Sequence, residues 1–357
     1  MTSSAHHAFE PDYASPPGDT LRDRIAELFV TQAELAARMG LSAKHVNQIM
    51  QGLAPITPET AVALERVTSV PAAFWNRREA DYRSTLAKLH PPQVTEADEA
   101  WLAAMPIKEL QRRGKLQPAL SGGRLLEALL TFFGVADRDA YERVWRRPVA
   151  SFRRSDAFKS APGSVVTWIR LGELEAIDVD TQQYSPSGFR AALLEARALT
   201  ASGDPNKLVD ICSKVGVAVV FVPEVKGCRI SGAAWWASPG KAVIALSDRY
   251  KKDDFFWFTF FHEAAHILLH SKKETFVDDG TDDDILEEGA NRFAEDFLIP
   301  KEHRSVLPKL SSETEVAEFA GRLGIAPGIV VGRLQHEGLW PWSKGQRLKR
   351  SLRIVDA

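Results

Sequence analysis

The chain has 357 residues, too many for one ordinary hydrophobic core, and its length suits two or three domains. With 45% hydrophobic residues, 26% charged residues and a formal net charge of −2, it excludes a surface built wholly to neutralise phosphates but leaves room for a local DNA-binding face. Two cysteines (Cys212 and Cys228) exclude a disulfide framework, and with no bilayer-length apolar run and no signal-peptide core the expected location is the cytoplasm, away from any membrane.

Met1–Thr20 is rich in Ser, Pro and His and reads as a disordered tail, with order expected from Leu21. From there to Leu89, short helical patterns alternate with turn signals at Gly40, Gly52 and Pro55. Thr31–Ser42 reads as one short helix, a glycine turn and a Ser42 N-cap for the next helix, Ala43–Met50. Val46 and Ile49 in that second helix face inward, as do Leu35 and Ala36 in the first, which is the helix-turn-helix design. Ser42, Ala43, Lys44, Asn47 and Gln48 then form the expected DNA-facing set, with Gln32 at the start of the first helix gripping a phosphate. Nine Lys/Arg against seven Asp/Glu over Leu21–Lys88 support this only weakly, and a purely structural helical hairpin is the alternative.

His90-Pro91-Pro92 marks a boundary, and residues 90–204 read as a mostly helical connecting region, with Leu125–Phe133 and Gly188–Leu199 as examples. Two basic clusters fall there, Arg112-Arg113 with Lys115, and Arg143, Arg146, Arg147, Arg153 and Arg154; a solvated or domain-facing surface is their expected role. Residues 205–340 change texture. Lys207–Val215 reads as a helix, and Val217–Val222, Ile230–Trp236 and Lys241–Leu246 as strands, the last two joined by Ser238-Pro239-Gly240. Helices are expected over Phe255–Leu269, Ile285–Ile299, Glu313–Leu323 and Pro327–Glu337. The remainder, 341–357, is a basic tail with five basic residues between Lys344 and Arg353 and is expected to fray.

The sharpest chemical signal is His262-Glu263-Ala264-Ala265-His266. On a helix the two imidazoles stand one turn apart and can take two corners of a zinc tetrahedron, which leaves Glu263 beside the metal as a base. The flanks, Phe255–Phe261 and Ile267–Leu269, are apolar on nearly every side, so this helix is buried. Unsatisfied polar groups there would each cost about 2–7 kcal/mol, and a metal satisfies all three at once. A hydrogen-bonded pair of core histidines with Glu263 as partner is the alternative.

Seven acidic residues crowd the following segment as candidate third ligands: Asp278, Asp279, Asp282, Asp283, Asp284, Glu287 and Glu288. With Leu286 set at zero on a helical wheel, Phe297 falls at about 20°, Ala290 at about 40°, Ala294 at about 80° and Glu287 at about 100°. Glu288, at about 200°, points to solvent, and the Asp run precedes the helix. Glu287 is therefore the preferred ligand, and the 21-residue gap from His266 suits a helix, a loop and a returning helix.

Val217–Pro300 resembles the ImmA/IrrE metallopeptidase-like proteins, through the strand pair, the H-E-x-x-H helix and the stretch Glu287-Glu288-Gly289-Ala290-Asn291-Arg292-Phe293-Ala294 leading to Leu298-Ile299-Pro300. The closing helix around Ile329–Leu334 extends the resemblance, which spans roughly 165–340. It implies zinc on His262, His266 and Glu287 with Glu263 as catalytic base. Ala265 stands where many members have Gly, a small-for-small exchange. The N-terminal part, from Leu21 through Pro55–Ala61 to Phe74-Trp75-Asn76, resembles the XRE family and more narrowly HigA-type antitoxins, which implies double-stranded operator DNA and a homodimer.

The fold class expected is thus multidomain: an all-α helix-turn-helix domain, a helical middle region and an α+β zincin-like metallopeptidase domain. Two functions remain open. One is a DNA-binding transcriptional regulator fused to a zinc-dependent metalloendopeptidase that cleaves a regulatory or partner protein. The other is a HigA-like antitoxin or repressor whose zinc domain only senses or docks a toxin or other partner. Tyr250, His270 and His303 are candidates for stabilising an oxyanion.

Overall fold

The computed structural model describes residues 13–152, 161–269 and 283–352, without the side chains of 146–152 and 283–284. Expectations for Met1–Asp12, Arg153, Arg154, His270, Asp278, Asp279, Asp282 and Arg353 lie outside the described residues, as do those for the side chains of Arg146, Arg147, Asp283 and Asp284. The chain divides into two compact units, Met1–Val94 with Ser121–Glu127, and Thr95–Leu120 with Ala128–Ala357. No helix among the described residues is long and apolar enough to cross a membrane.

Five helices make up most of the first unit: α1 (Pro17–Glu27), α2 (Gln32–Met39), α3 (Ala43–Met50), α4 (Pro58–Thr68) and α5 (Ala72–Leu89). Thr31, Ser42 and Thr57 are N-caps whose side chains accept from the backbone N–H of Glu34, His45 and Thr60, so each start is written in a hydroxyl residue. Gly40 ends α2 at φ 66°, a left-handed conformation that releases the chain into the next cap within two residues. Leu21, Ile25, Leu35, Val46, Ile49, Leu64 and Trp75 meet in one core. Order begins earlier than the expected Leu21. Pro17 sits in the first turn of α1, where its missing N–H costs nothing, and Gly18 lies so close to the Met50 backbone that a Cβ there would fall 2.1 Å from the Met50 carbonyl oxygen.

The second unit contains α6 (Glu96–Ala104), α7 (Ile107–Arg112), α9 (Arg138–Phe152), α10 (Pro162–Asp178), α11 (Pro186–Ser202) and α12 (Lys207–Ser213); α8 (Gly122–Phe133) begins in the first set of residues and ends in the second. Then come β1 (Val217–Phe221), β2 (Gly232–Ser238), β3 (Lys241–Leu246), α13 (Asp253–Leu269), α14 (Asp283–Leu298), a 3-10 segment Lys301–Lys309, α15 (Glu313–Leu323) and α16 (Pro327–His336). Strand order is β1-β3-β2, with β3 parallel to β1 and antiparallel to β2, so that Val219 pairs with Ile244 and Ala234 pairs with the same Ile244 from the other side.

Alternation decides which face each strand residue covers. Val217, Val219, Ala242, Ile244 and Leu246 join the core that includes α13. Ala245 and Trp235 face α10 instead, where they crowd Gly172, and the Trp168 indole N–H donates to the Val222 carbonyl. Both faces of β1 and β3 are therefore covered, which is why these strands read as continuous apolar runs. Lys241 Nζ closes the end of α10 by donating to the carbonyls of Ala176 and Val179.

The expected fraying of Lys344–Arg353 is corrected by the structure for its described part. The chain after α16 folds back along the start of α13: the Leu352 N–H donates to the Lys251 carbonyl, the Asp253 N–H to the Arg350 carbonyl, and the Arg350 N–H to Asp253 Oδ1. Lys349 is buried, with Nζ 2.5 Å from Asp254 Oδ2 and 2.6 Å from Gln335 Oε1. A basic composition reads as solvated, yet one of these cations neutralises an acid at a buried helix start. Burial, with the neighbouring Asp254, pushes Asp253 up to about 6.

Lys349→Ala should leave the Asp254 carboxylate buried without a counter-charge, at a cost of about 3–5 kcal/mol. Denaturant unfolding of the full chain should show this as a lowered midpoint, with partial recovery in Lys349→Met combined with Asp254→Asn; an unchanged midpoint in Lys349→Ala would detach the tail from the domain. Asp253 binds its proton more tightly folded than unfolded, so stability should fall as pH rises from about 4 to about 6. Asp253→Asn should flatten that part of the pH profile in thermal melts, and an identical profile in the variant would contradict the assignment.

Candidate metal centre and nucleic-acid helix

Helix α13 lies between the sheet and the helices α14 and α16, with Trp257, Phe260, Phe261, Ala264 and Ala265 fully buried. Each large apolar side chain removed from water contributes about 1.5–3 kcal/mol, which holds the helix in place whatever its polar residues do. His262 and His266 emerge from it one turn apart, with their Nε2 atoms 3.0 Å from one another. Glu287 comes from α14, its Oε2 3.2 Å from His262 Nε2 and its Oε1 3.3 Å from His266 Nε2. One ligand atom from each of the three residues lies within 4.8 Å of the others.

The structure thus brings together the three residues expected as ligands. Glu288 turns outward and pairs with Arg292. The buried stripe of α14 is centred on Ala290, Ala294 and Leu298, with Leu286 only half-buried, so the helix is rotated slightly from the expected phase and Glu287 comes nearer the contact face. Asn291, one turn beyond Glu287, has Oδ1 3.0 Å from His262 Nδ1. No role for Asn291 was read from the sequence, although its spacing from Glu287 was a usable signal.

Burial works against the ionised form of Glu287, but hydrogen bonds and charge from His262 and His266 outweigh it and hold the carboxyl well below its usual range. Desolvation pulls His262 down, yet Glu287, Glu263 and Asn291 together raise it. Glu263 is buried and raised by desolvation, with the two histidines partly offsetting this. Two nitrogen donors and one carboxylate that converge in this way are a donor set that fits zinc.

Glu263 packs against the first residue of β2. A Cβ on Gly232 would fall 2.8 Å from Glu263 Cγ and 2.5 Å from Thr259 Cγ2, so a side chain there would displace the acid. Thr259 also lines a shallow surface recess with Ser231, Arg249, Tyr250 and Phe255. Tyr250 stacks on Phe255 and His303 lies edge-on to Phe319; neither is hydrogen-bonded to the cluster among the described residues. Arg197 on α11 was not anticipated from the sequence. Its guanidinium donates to the carbonyls of Phe297, Leu298 and Leu323, tying down the ends of α14 and α15.

In the first unit, Ser42, Ala43, Lys44 and Asn47 are exposed at the start and along one side of α3, with Gln48 half-buried. Val46, Ile49 and Met50 hold the other side in the core. Gln32, at the first position of α2, reaches Asn47: its Nε2 donates to Asn47 Oδ1 at 3.4 Å. All six expected DNA-facing residues therefore lie on α3, its cap, or the start of the adjoining helix.

Residues 212–335 match the peptidase M78 family model, described as an IrrE N-terminal-like domain, and residues 21–75 match a helix-turn-helix model. Among solved structures, PA4674 of Pseudomonas aeruginosa in complex with 18 bp of its operator DNA is 31% identical over 21% of this chain and 84% of that one, with a TM-score of 0.20. The Pseudomonas aeruginosa antitoxin HigA, with the higBA promoter, is 27% identical over 30% of this chain and 100% of that one, also with a TM-score of 0.20. No curated protein matches the chain. The chain carries a helix-turn-helix domain at residues 21–75 joined to an IrrE-like domain of the peptidase M78 family at residues 212–335.

Proposed function

We propose that this chain is a cytoplasmic DNA-binding regulator whose IrrE-like domain is a zinc-dependent peptidase acting on a regulatory or partner protein. The observation that carries the reading is the convergence of His262, His266 and Glu287 donor atoms beside the buried Glu263. Zinc held by those three residues would supply polarisation of a peptide carbonyl and acidification of a water. Glu263 would take the proton of the attacking water and deliver it to the departing amine nitrogen. Its burial supports this role, since a carboxylate raised by desolvation is a better base than a solvated one. The close approach of Gly232 keeps the start of β2 free of any side chain beside Glu263.

For the N-terminal unit, the helix-turn-helix match and the exposed polar side of α3 support binding of double-stranded operator DNA. Lys44, Asn47 and Gln48 would read base edges, and Gln32, Ser42 and Ala43 would set the helix against the backbone. A two-fold homodimer on a palindromic site fits such a module.

Purified protein should hold one zinc per chain by elemental analysis. His262→Ala with His266→Ala should lose it, while Glu263→Gln should keep the metal and abolish cleavage of the partner, mapped by mass spectrometry against neighbouring gene products. Full zinc in the double variant would remove the centre. Cleavage that survives Glu263→Gln would remove Glu263 as the base, and a zinc-loaded wild type that cuts none of these products would leave the domain as a sensor or docking module. Replacing Lys44, Asn47 and Gln48 by Ala should remove sequence preference in a gel-shift titration with the upstream promoter, at about 1–3 kcal/mol per lost bidentate contact. The fold should survive, because Val46 and Ile49 carry the packing. Unchanged operator affinity would take α3 out of DNA recognition.

A further inference from the structure

Every imidazole that binds a metal through Nε2 must carry its proton on Nδ1, because the neutral ring has one donor nitrogen and one acceptor nitrogen. An isolated histidine divides between the two tautomers, and only a partner at the far nitrogen decides between them. His262 has such a partner. Its Nε2 faces His266 Nε2 at 3.0 Å and Glu287 Oε2 at 3.2 Å, while its Nδ1 points the other way and lies 3.0 Å from Asn291 Oδ1. We propose that Asn291 is a positioning residue of the metal centre: its side-chain carbonyl accepts the Nδ1 proton of His262 and so turns an unprotonated Nε2 toward the metal. This rests on the zinc reading above.

The placement follows from helix geometry. Glu287 and Asn291 are four residues apart on α14, about 40° apart around the axis, so one face of one helix presents both the third ligand and the tautomer lock. The two positions therefore move together: a shift of α14 against α13 that withdrew the carboxylate would also release the ring. The acceptor is an uncharged amide rather than a carboxylate. It fixes the ring without adding negative charge beside Glu287 and the buried Glu263, an addition that would oppose the ionised form of each.

The experiment is competitive zinc titration of the full-length chain against a chromophoric chelator, for the wild type, Asn291→Leu and Asn291→Asp. Leucine has the branching and heavy-atom count of asparagine and no acceptor; aspartate restores the acceptor. Asn291→Leu should bind zinc about 10- to 100-fold more weakly, and Asn291→Asp as tightly as the wild type or more so. Zinc-free melting midpoints should agree among the three proteins, and the 15N resonance of His262 Nδ1 in the zinc-loaded protein should report a protonated nitrogen in the wild type and in Asn291→Asp. Zinc affinity unchanged in Asn291→Leu overturns the proposal, as does Asn291→Asp binding as weakly as Asn291→Leu. A loss of zinc-free stability in Asn291→Leu large enough to account for its weaker binding reduces Asn291 to a packing residue and overturns it too. A wild-type chain that takes up no zinc overturns both this and the peptidase reading, and the wild-type titration alone identifies that case.

Discussion

The C-terminal half of this protein is organised around the burial of α13, a helix that carries five acidic or imidazole side chains along an otherwise apolar cylinder. Asp253, Asp254, His262, Glu263 and His266 all lie on it, and Asp253, Asp254 and Glu263 are almost wholly withdrawn from water. A polar group in that setting must find a partner or cost several kcal/mol. The surrounding elements supply partners to the aspartates and the histidines, although Asp253 Oδ2 and Asp254 Oδ1 keep no hydrogen bond among the described residues. The chain after α16 delivers Lys349 to Asp254 and two backbone contacts to Asp253, and α14 delivers Glu287 and Asn291 to the histidines. Seen this way, the ends of α13 solve the same problem by different means: a structural ion pair at its start, and a ligand cluster near its end.

Rigidity of the cluster depends on how α14 is held. Ala290 and Ala294 are small and fully buried, which lets α14 approach α13 closely, and Phe297 stacks on Phe261 at a ring distance of 5.2 Å. Arg197 fastens the far end of α14 through two carbonyls that the helix itself leaves unpaired. Arg333 on α16 adds an ion pair to Glu295 at 2.8 Å. Three separate elements thus limit sliding of the helix that presents Glu287.

Much of this was legible in the sequence because the signals were local. Apolar residues on every side of 255–269 announce a buried helix, the serine at 42 marks a helix start, and the period of 285–299 singles out Glu287 from its acidic neighbours. What was not legible depended on partners distant in the chain. Nothing about Lys349 among its basic neighbours distinguishes it from a solvated cation until Asp254, 95 positions away, is placed beside it. Arg197 likewise owes its role to carbonyls that only the folded chain brings near. The start of helix α1 is hidden in the sequence because Pro17 and Gly18 resemble linker residues; the absence of a side chain at Gly18 is what admits the Met50 backbone.

Two glycines on α16 carry a consequence for how this domain can vary. A Cβ on Gly328 would stand 2.5 Å from Asp253 Oδ1, and one on Gly332 would stand 2.9 Å from Asp254 Oδ2. Helix α16 is therefore spaced from α13 by the length of two aspartate side chains and nothing more. Even alanine at either position would act as a shim. Because α16 also grips α14 through Arg333, the thickness of that shim would be passed on, through an ion pair, to the helix that carries Glu287. Drift at two positions remote from the histidines is thus limited by the dimensions of the centre they never touch.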